Sequence, residues 1–457
     1  MLLTSYSSIL EKGWQPVFAQ ARSHERAVEH ALAWPAVMGE RTISQTVCAL
    51  GRSDQDWSAD YKLYSRSEWD SQQLFDPVLE DYLERYPKGP IAVAVDDTKQ
   101  AKTGKKIPGA SWHRDPLSPP FHPNLLYGLR FLQAGLLFGH HRQGDHDARS
   151  LPVRFVEAPV VKKPGKRASK KEKKAYKELK KKQNLSMQAL GLMRGLRRRV
   201  DEKGARHRPL LIVQDGSFCN RTIFKAELER TRLLARGRKD ARLCLPAPAG
   251  QRRKYDPNCF TPQQVRQDQR RRWKRARIHF AGKKRWIKYK QVKDVLWRRG
   301  AGTHRLRLLV IAPQPYHVSK HARVNYRQPA YLLSTDLASP VQPLIQAYFD
   351  RWQIEVNHRD EKHWLGVGQA QVRSPLSVPR HPAFAVACYS NLLLAALRAF
   401  GPGRTEQFLP LPKWRKNSKR PSLVDLLTLL RKEINETPVS HLLNPDFSKN
   451  LTLYAKT

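Results

Sequence analysis

Two kinds of apolar patterning divide the chain. Up to about residue 86, apolar positions recur at helical spacing in segments at 27–34, 43–50 and 75–86, and Pro87-Lys-Gly-Pro90 ends them. Residues 91–95 then form an uninterrupted apolar run of strand length that stops at Asp96-Asp97-Thr98. After a Gly/Lys-rich loop, the apolar stretch 125–139 predicts two paired strands, and 153–156 a third. Residues 209–213 predict another buried strand, which ends at Gln214-Asp215-Gly216. Both buried strands therefore deliver an Asp at their C-terminal ends. Between 246 and 329, Arg-rich turns separate candidate strands at 278–280, 286–292 and 306–311. A strand at 330–334 leads into one helix predicted over 341–363, an apolar helix follows at 383–400 and an amphipathic one at 423–434. The chain contains no internal repeat.

Charge narrows the partner. The 457 residues carry 84 Lys+Arg against 40 Asp+Glu, a net charge of +44. A polyanion accounts for that excess, and a small-molecule substrate does not. Nucleic-acid binding with a strong salt dependence is expected, although a basic protein that only sits beside nucleic acid has the same balance. Residues 162–199 are the most basic segment, and 170–182 are strong helix formers with no breaker. A run of this kind is commonly a solvated face; here it is also a candidate for contact with the DNA backbone. The five scattered cysteines suggest free thiols in a reducing, cytosolic setting. No signal peptide or membrane span is predicted.

The predicted helix 341–363 carries the chemistry. On a continuous helix, Tyr348, Arg351, Glu355 and Lys362 fall within a sector of about 60°. An acid beside two cations is ordinary on a helix surface. Two strand-terminal aspartates and a glutamate, however, make up the oxygen-rich set that Mg2+ prefers, with Mn2+ as a substitute. Two such ions about 3.5–4 Å apart promote phosphodiester cleavage. Arg351 and Lys362 would then offset the flanking phosphates.

The spacing Tyr348-(2)-Arg351-(3)-Glu355-(6)-Lys362, the strand end Val93-Ala-Val-Asp96-Asp97-Thr98 and the strand end Leu211-Ile-Val-Gln-Asp215-Gly-Ser217 together resemble the DDE-type bacterial insertion-sequence transposases. The likeness is to the cut-and-paste group with the Y-(2)-R-(3)-E-(6)-K signature, and it covers residues 90–400. It implies an α/β, RNase H-like mixed sheet flanked by helices and interrupted by a β-rich insertion. The regions are then a helical N-terminal DNA-binding region (1–88), a first part of the catalytic core (89–245), the insertion (246–329), a second part with the Glu helix (330–400) and a helical C-terminal region (401–457). The 140 positions from Asp215 to Glu355 leave room for the insertion.

The resemblance also implies metal ligation by Asp215, Glu355 and one of Asp96 and Asp97. Side chains alternate along a strand, so only one of these adjacent acids faces the site. Asp96 directly follows the apolar run, whereas Asp97 directly precedes Thr98. Tyr348, Arg351 and Lys362 are expected to contact DNA. Trp286 and Trp297 in the insertion are candidates for stacking on a base, against the commoner use of Trp as core. The implied partners are double-stranded DNA and a second copy of the chain at synapsis, with no membrane and no small-molecule substrate. A nuclease or resolvase without strand transfer would use the same acids, and a non-catalytic DNA-binding protein would share the charge. His140, His141, Asp145 and His146 lie in a polar turn without metalloprotease spacing and are expected to form a loop.

Overall fold

The computed structural model describes residues 1–436 apart from 38, 116–117, 120, 140–147, 320–321 and 416–417. The His140–His146 cluster and residues 437–457 lie outside the described residues. The chain begins with α1 (Leu2–Trp14), α2 (Ala21–Ala36), α3 (Ile43–Ala49), α4 (Ser58–Ser65) and α5 (Asp76–Arg85). Strands β1 (Ile91–Ala101), β2 (Ser111–Arg114), β3 (Leu125–Phe138) and β4 (Arg149–Glu157) follow, then α6 (Lys170–Lys182) and α7 (Leu185–Glu202). Next come β5 (Leu210–Gln214), the short α8 (Arg221–Phe224), β6 (Thr231–Arg236) and α9 (Pro262–Gln267). Strands β7 (Lys274–Phe280), β8 (Lys283–Leu296) and β9 (Arg305–Ile311) precede a small β10 (Gln314–Tyr316) and β11 (Asn325–Arg327) hairpin and β12 (Ala330–Ser334). The chain continues through α10 (Val341–Asp350), α11 (Trp352–His363), α12 (Ser377–Phe400) and α13 (Leu423–Glu436).

One mixed sheet of ten strands organises these elements, in the order β2-β3-β1-β5-β6-β12-β9-β8-β7, with β4 paired to β3. β1 runs antiparallel to β3 and parallel to β5, and β5 runs parallel to β6. The protein is thus α/β, with a partly parallel sheet flanked by helices. The first five residues of β1 and all of β5 are buried, which explains why they read as continuous apolar runs rather than alternating ones. β12 pairs antiparallel with β6, and β9, β8 and β7 extend the sheet from there. The strands predicted within 246–329 therefore lie in the same sheet as the two Asp-bearing strands. Ala276, Ile278, Ile287, Leu309 and Ile311 pack with Leu344, Ile345 and Ala347 of α10 in one apolar cluster.

α12 is apolar on nearly every side because helices and sheet surround it: it packs on α1, α2, α4, α5 and β4. Among the described residues it is the one helix long and apolar enough to cross a membrane, and most of it lies in the interior.

Two elements differ from the sequence expectation. Residues 125–138 form one long strand rather than a pair, because its glycines serve close approach instead of a turn. A Cβ at Gly128 would lie 2.0 Å from the Gln100 carbonyl oxygen, and Gly135 sits at a register shift against β4. The predicted helix 341–363 divides at Arg351 into α10 and α11. The Ile354 N–H donates to the Arg351 carbonyl at 3.0 Å, a tighter turn than the α-helical one, while Arg351 itself keeps helical dihedrals.

Candidate active site

The two buried strands bring the aspartates together. β1 and β5 pair in parallel up to Val95 and Gln214, so the next residues, Asp96 and Asp215, leave neighbouring strands side by side. Alternation fixes the face on which each lies. Ala92 and Ala94 pack against Ile354 of α11, and Leu211 and Val213 pack against α10. Asp96 and Asp215, two residues further on, therefore occupy the face that α10 and α11 cover. Small Ala side chains under α11 let the helix approach the sheet. By the same alternation Asp97 lies on the other side of β1, where Lys99, Arg130 and Lys362 offset part of the rise that burial and Asp215 impose on it. Of the two acids left open by the sequence, the structure puts Asp96 on the side of Glu355.

Arg351 ties this face together. Its Nη2 donates to Glu355 Oε1 at 2.7 Å, and its Nη1 stands 3.6 Å from Asp96 Oδ2. The guanidinium thus lies between two acids from separate elements, and it is itself only 13 % exposed. Asp215 is held differently: its Oδ1 accepts from the Ser217 N–H at 2.9 Å and from the Ser217 hydroxyl at 2.6 Å. This turn ends β5 and fixes the direction in which the carboxylate leaves the strand.

The electrostatics are those of an acid cluster short of positive charge. Burial pushes Asp96 up to about 7; Asp215 and Asp97 push the same way, and Arg351 offsets only part. Burial also raises Asp97. Farther along α11, burial lowers His358 to about 3, with Lys362 and Arg351 adding to the effect, so its ring is neutral near pH 7. Glu361 is pushed up to about 8 by burial, although the Gln133 side-chain amide donates to it at 2.9 Å. Lys362 is exposed, yet desolvation of its ammonium holds it below the usual lysine range.

Sequence reasoning missed Gln133, His358 and Glu361. Gln133 stands directly opposite Asp96 in the β1–β3 register, a position visible only once strand pairing is known. Glu361 did carry a signal, as an acid one residue before Lys362 on the same helix.

The remaining candidates are dispersed. Tyr348 is half-buried in the α10 cluster, with its ring 5.6 Å from that of Phe349. Trp286 is 63 % exposed on β8, among Lys283, Lys284 and Arg285. Trp297 is half-buried and packs edge-on against Phe224 at 5.9 Å, so it serves as core.

Asp96, Asp215 and Glu355 offer only oxygen donors, the chemistry suited to a hard divalent cation. A cation among them would offset both the burial and the acid–acid repulsion that raise Asp96. Among the described residues, no three Asp, Glu, His or Cys side chains stand close enough to form a ready-made cation cluster. In this arrangement the positive charge between two of the acids, Asp96 and Glu355, is the Arg351 guanidinium. The donor set thus fits a divalent ion once Arg351 gives up Glu355. Comparisons with protein-family models and with curated proteins gave no match.

Proposed function

We propose that this protein is a DNA transposase of the DDE type, with Asp96, Asp215 and Glu355 as the ligands of Mg2+ or Mn2+, two ions in the working site. It would cleave DNA at the terminal inverted repeats of an element and join the freed 3′-hydroxyl ends to target DNA. The observation that carries this reading is the placement of Asp96 and Asp215 side by side on one sheet face, with Glu355 reached through Arg351. The order β4-β3-β1-β5-β6, an antiparallel trio followed by two parallel strands, supports an RNase H-like core. The net charge of +44 supports a double-stranded DNA substrate.

When bound, divalent ions activate the attacking hydroxyl or water and stabilise the leaving oxygen. The chain's own groups prepare for them. Asp96 and Asp215 leave rigid neighbouring strands, so their spacing is set by the sheet. Arg351 holds Glu355 and Asp96 in reach of each other in the resting protein. With a divalent ion held by Asp96, Asp215 and Glu355, the Arg351 guanidinium would be free to pair with a phosphate beside the scissile bond. Lys362, exposed on the same helix, offers a second cation to the backbone. Joining two ends in one event calls for two copies of the chain on DNA, in the cytoplasm at the nucleoid.

The test is direct. Asp215→Asn and Glu355→Gln are expected to lower metal-dependent cleavage of a duplex carrying the element's ends by about a thousandfold or more, roughly 4 kcal/mol in barrier, while end binding survives. Cleavage that persists in EDTA, or in these variants, would sink the reading. Pre-cut 3′-hydroxyl ends that yield no joined product would reduce it to a nuclease.

A further inference from the structure

The most basic segment of the chain makes an excursion from the body at the carboxylate edge of the sheet. α7 runs from that edge back toward the start of β5. Its first turn sits beside the loop after Asp215, where the Asn220 side-chain amide donates to Ser186 Oγ at 2.9 Å. The neck of the excursion is closed there as well: Gln188 Nε2 donates to the Pro159 carbonyl at 3.1 Å and to the Gln183 carbonyl at 2.6 Å. Residues 160–183 therefore leave and return at one point.

What they carry is charge with no structural use in the body. The segment holds twelve Lys and Arg against two Glu, and α6 buries none of its residues. Among the described residues, one of its lysines pairs with a carboxylate, Lys181 with Glu178 at 3.3 Å. Lysines three and four apart repel along the helix, which costs stability. A Ser169–Glu172 capping box nonetheless starts the helix cleanly. Tyr176 is the one aromatic residue in the segment, and Lys180 lies over its ring, so it is no platform for bases. The surface is suited to phosphates, not to base edges.

We propose that residues 160–183 form a DNA-backbone arm, a lysine helix that grips phosphates of the duplex passing over the Asp96–Asp215 edge without reading its sequence. The inference rests on the reading of duplex DNA as the substrate of that edge. Phosphates would neutralise the repulsion along α6, so DNA also stabilises the arm's helix.

The test replaces Lys170, Lys173, Lys174, Lys177 and Lys181 with Gln in the full chain and follows binding to a duplex of arbitrary sequence at rising salt, without divalent ions. Each lost phosphate contact lowers the slope of log K against log salt by about 0.9, so a slope shallower by about 3–4.5 is expected, with affinity down at least tenfold near 0.1 M salt. The matching Lys→Arg variant should keep the slope. An unchanged slope in the Gln variant, a lost slope in the Arg variant, or a loss seen only with duplex RNA would overturn the proposal. Binding without divalent ions separates this outcome from the enzymatic one. A shallower slope in a protein that never cleaves keeps the arm and removes the transposase, and cleavage with an unchanged slope does the reverse.

Discussion

Asp60 and Asp96 are both withdrawn from water, at 1 % and 17 % side-chain exposure, and the protein surrounds them in opposite ways. Asp60 joins α4 to the helices around it. His30 Nε2 lies 2.8 Å from its Oδ1, Arg52 Nη1 3.1 Å and Arg26 Nε 3.2 Å. Burial pushes its carboxyl up, but the bond to His30 and the charges of His30, Arg52 and Arg26 outweigh that and bring it below the ordinary range. Burial pushes Asp96 up as well, and there one guanidinium at 3.6 Å offsets only part while two further acids add to it, so it rises to about 7. An acid that serves the fold is given its counter-charges within the chain. An acid left short of them has room for a charge from outside.

The largest effect that separates the two is catalytic. Asp96→Asn is expected to lose about a thousandfold or more in metal-dependent cleavage, whereas Asp60→Asn should cleave in proportion to the fraction folded. Equal losses per folded molecule would erase the distinction. In stability the order reverses. Asp60→Asn leaves His30, Arg26 and Arg52 facing a neutral amide, and breaking a buried charge cluster of this kind costs about 3–5 kcal/mol in denaturant unfolding. A loss under about 1 kcal/mol would place Asp60 among weak surface pairs.

The pH dependence sharpens the contrast. Asp60, lowered in the fold, contributes stability that is present above the ordinary carboxylate pKa and fades as pH falls through its depressed value. Asp96 does the opposite. Its folded pKa of about 7 lies above the unfolded one, so its stabilising share is complete in acid, is lost as pH rises between about 4 and 7, and is gone above that. Without divalent ions, Asp96→Asn is therefore expected to match the parent near pH 4 and to be more stable at pH 8, by on the order of 3 kcal/mol. Mg2+ should close that gap by stabilising the parent alone. A variant less stable than the parent at pH 8 would mean that Asp96 is well compensated after all.

How much of this could be read from the sequence depended on range. β1 and β5 were legible because both are buried on two faces and end in acids, and α6 because it is uniformly helix-forming. β6 was not singled out: Leu233, Leu234 and Ala235 form too short an apolar run between arginines to stand out, and its identity as a strand comes from pairing with β5. The division at Arg351 was also hidden, since beyond Pro343 in the first turn no residue up to 363 breaks a helix and the division is a single tightened turn. The acids were legible as types and spacing. Their deficit of counter-charge was not, because it depends on which side chains of distant elements meet.

The smallest effect concerns the neighbour. Asp97 is adjacent to Asp96 in sequence and is likewise raised by burial, yet strand alternation turns its side chain to the opposite face of β1, with Lys99 and Arg130 offsetting part of the rise. The Asp97 backbone N–H also donates to Asp96 Oδ1 at 2.9 Å, a bond that a side-chain change at 97 leaves intact. Asp97→Asn should therefore keep cleavage within about tenfold of the parent, about 1.4 kcal/mol in barrier, with its metal requirement unchanged. A loss equal to that of Asp96→Asn would show that the strand twists at its end and brings Asp97 to the metal. The two variants assayed side by side thus test whether strand alternation still governs the last turnless residues of β1.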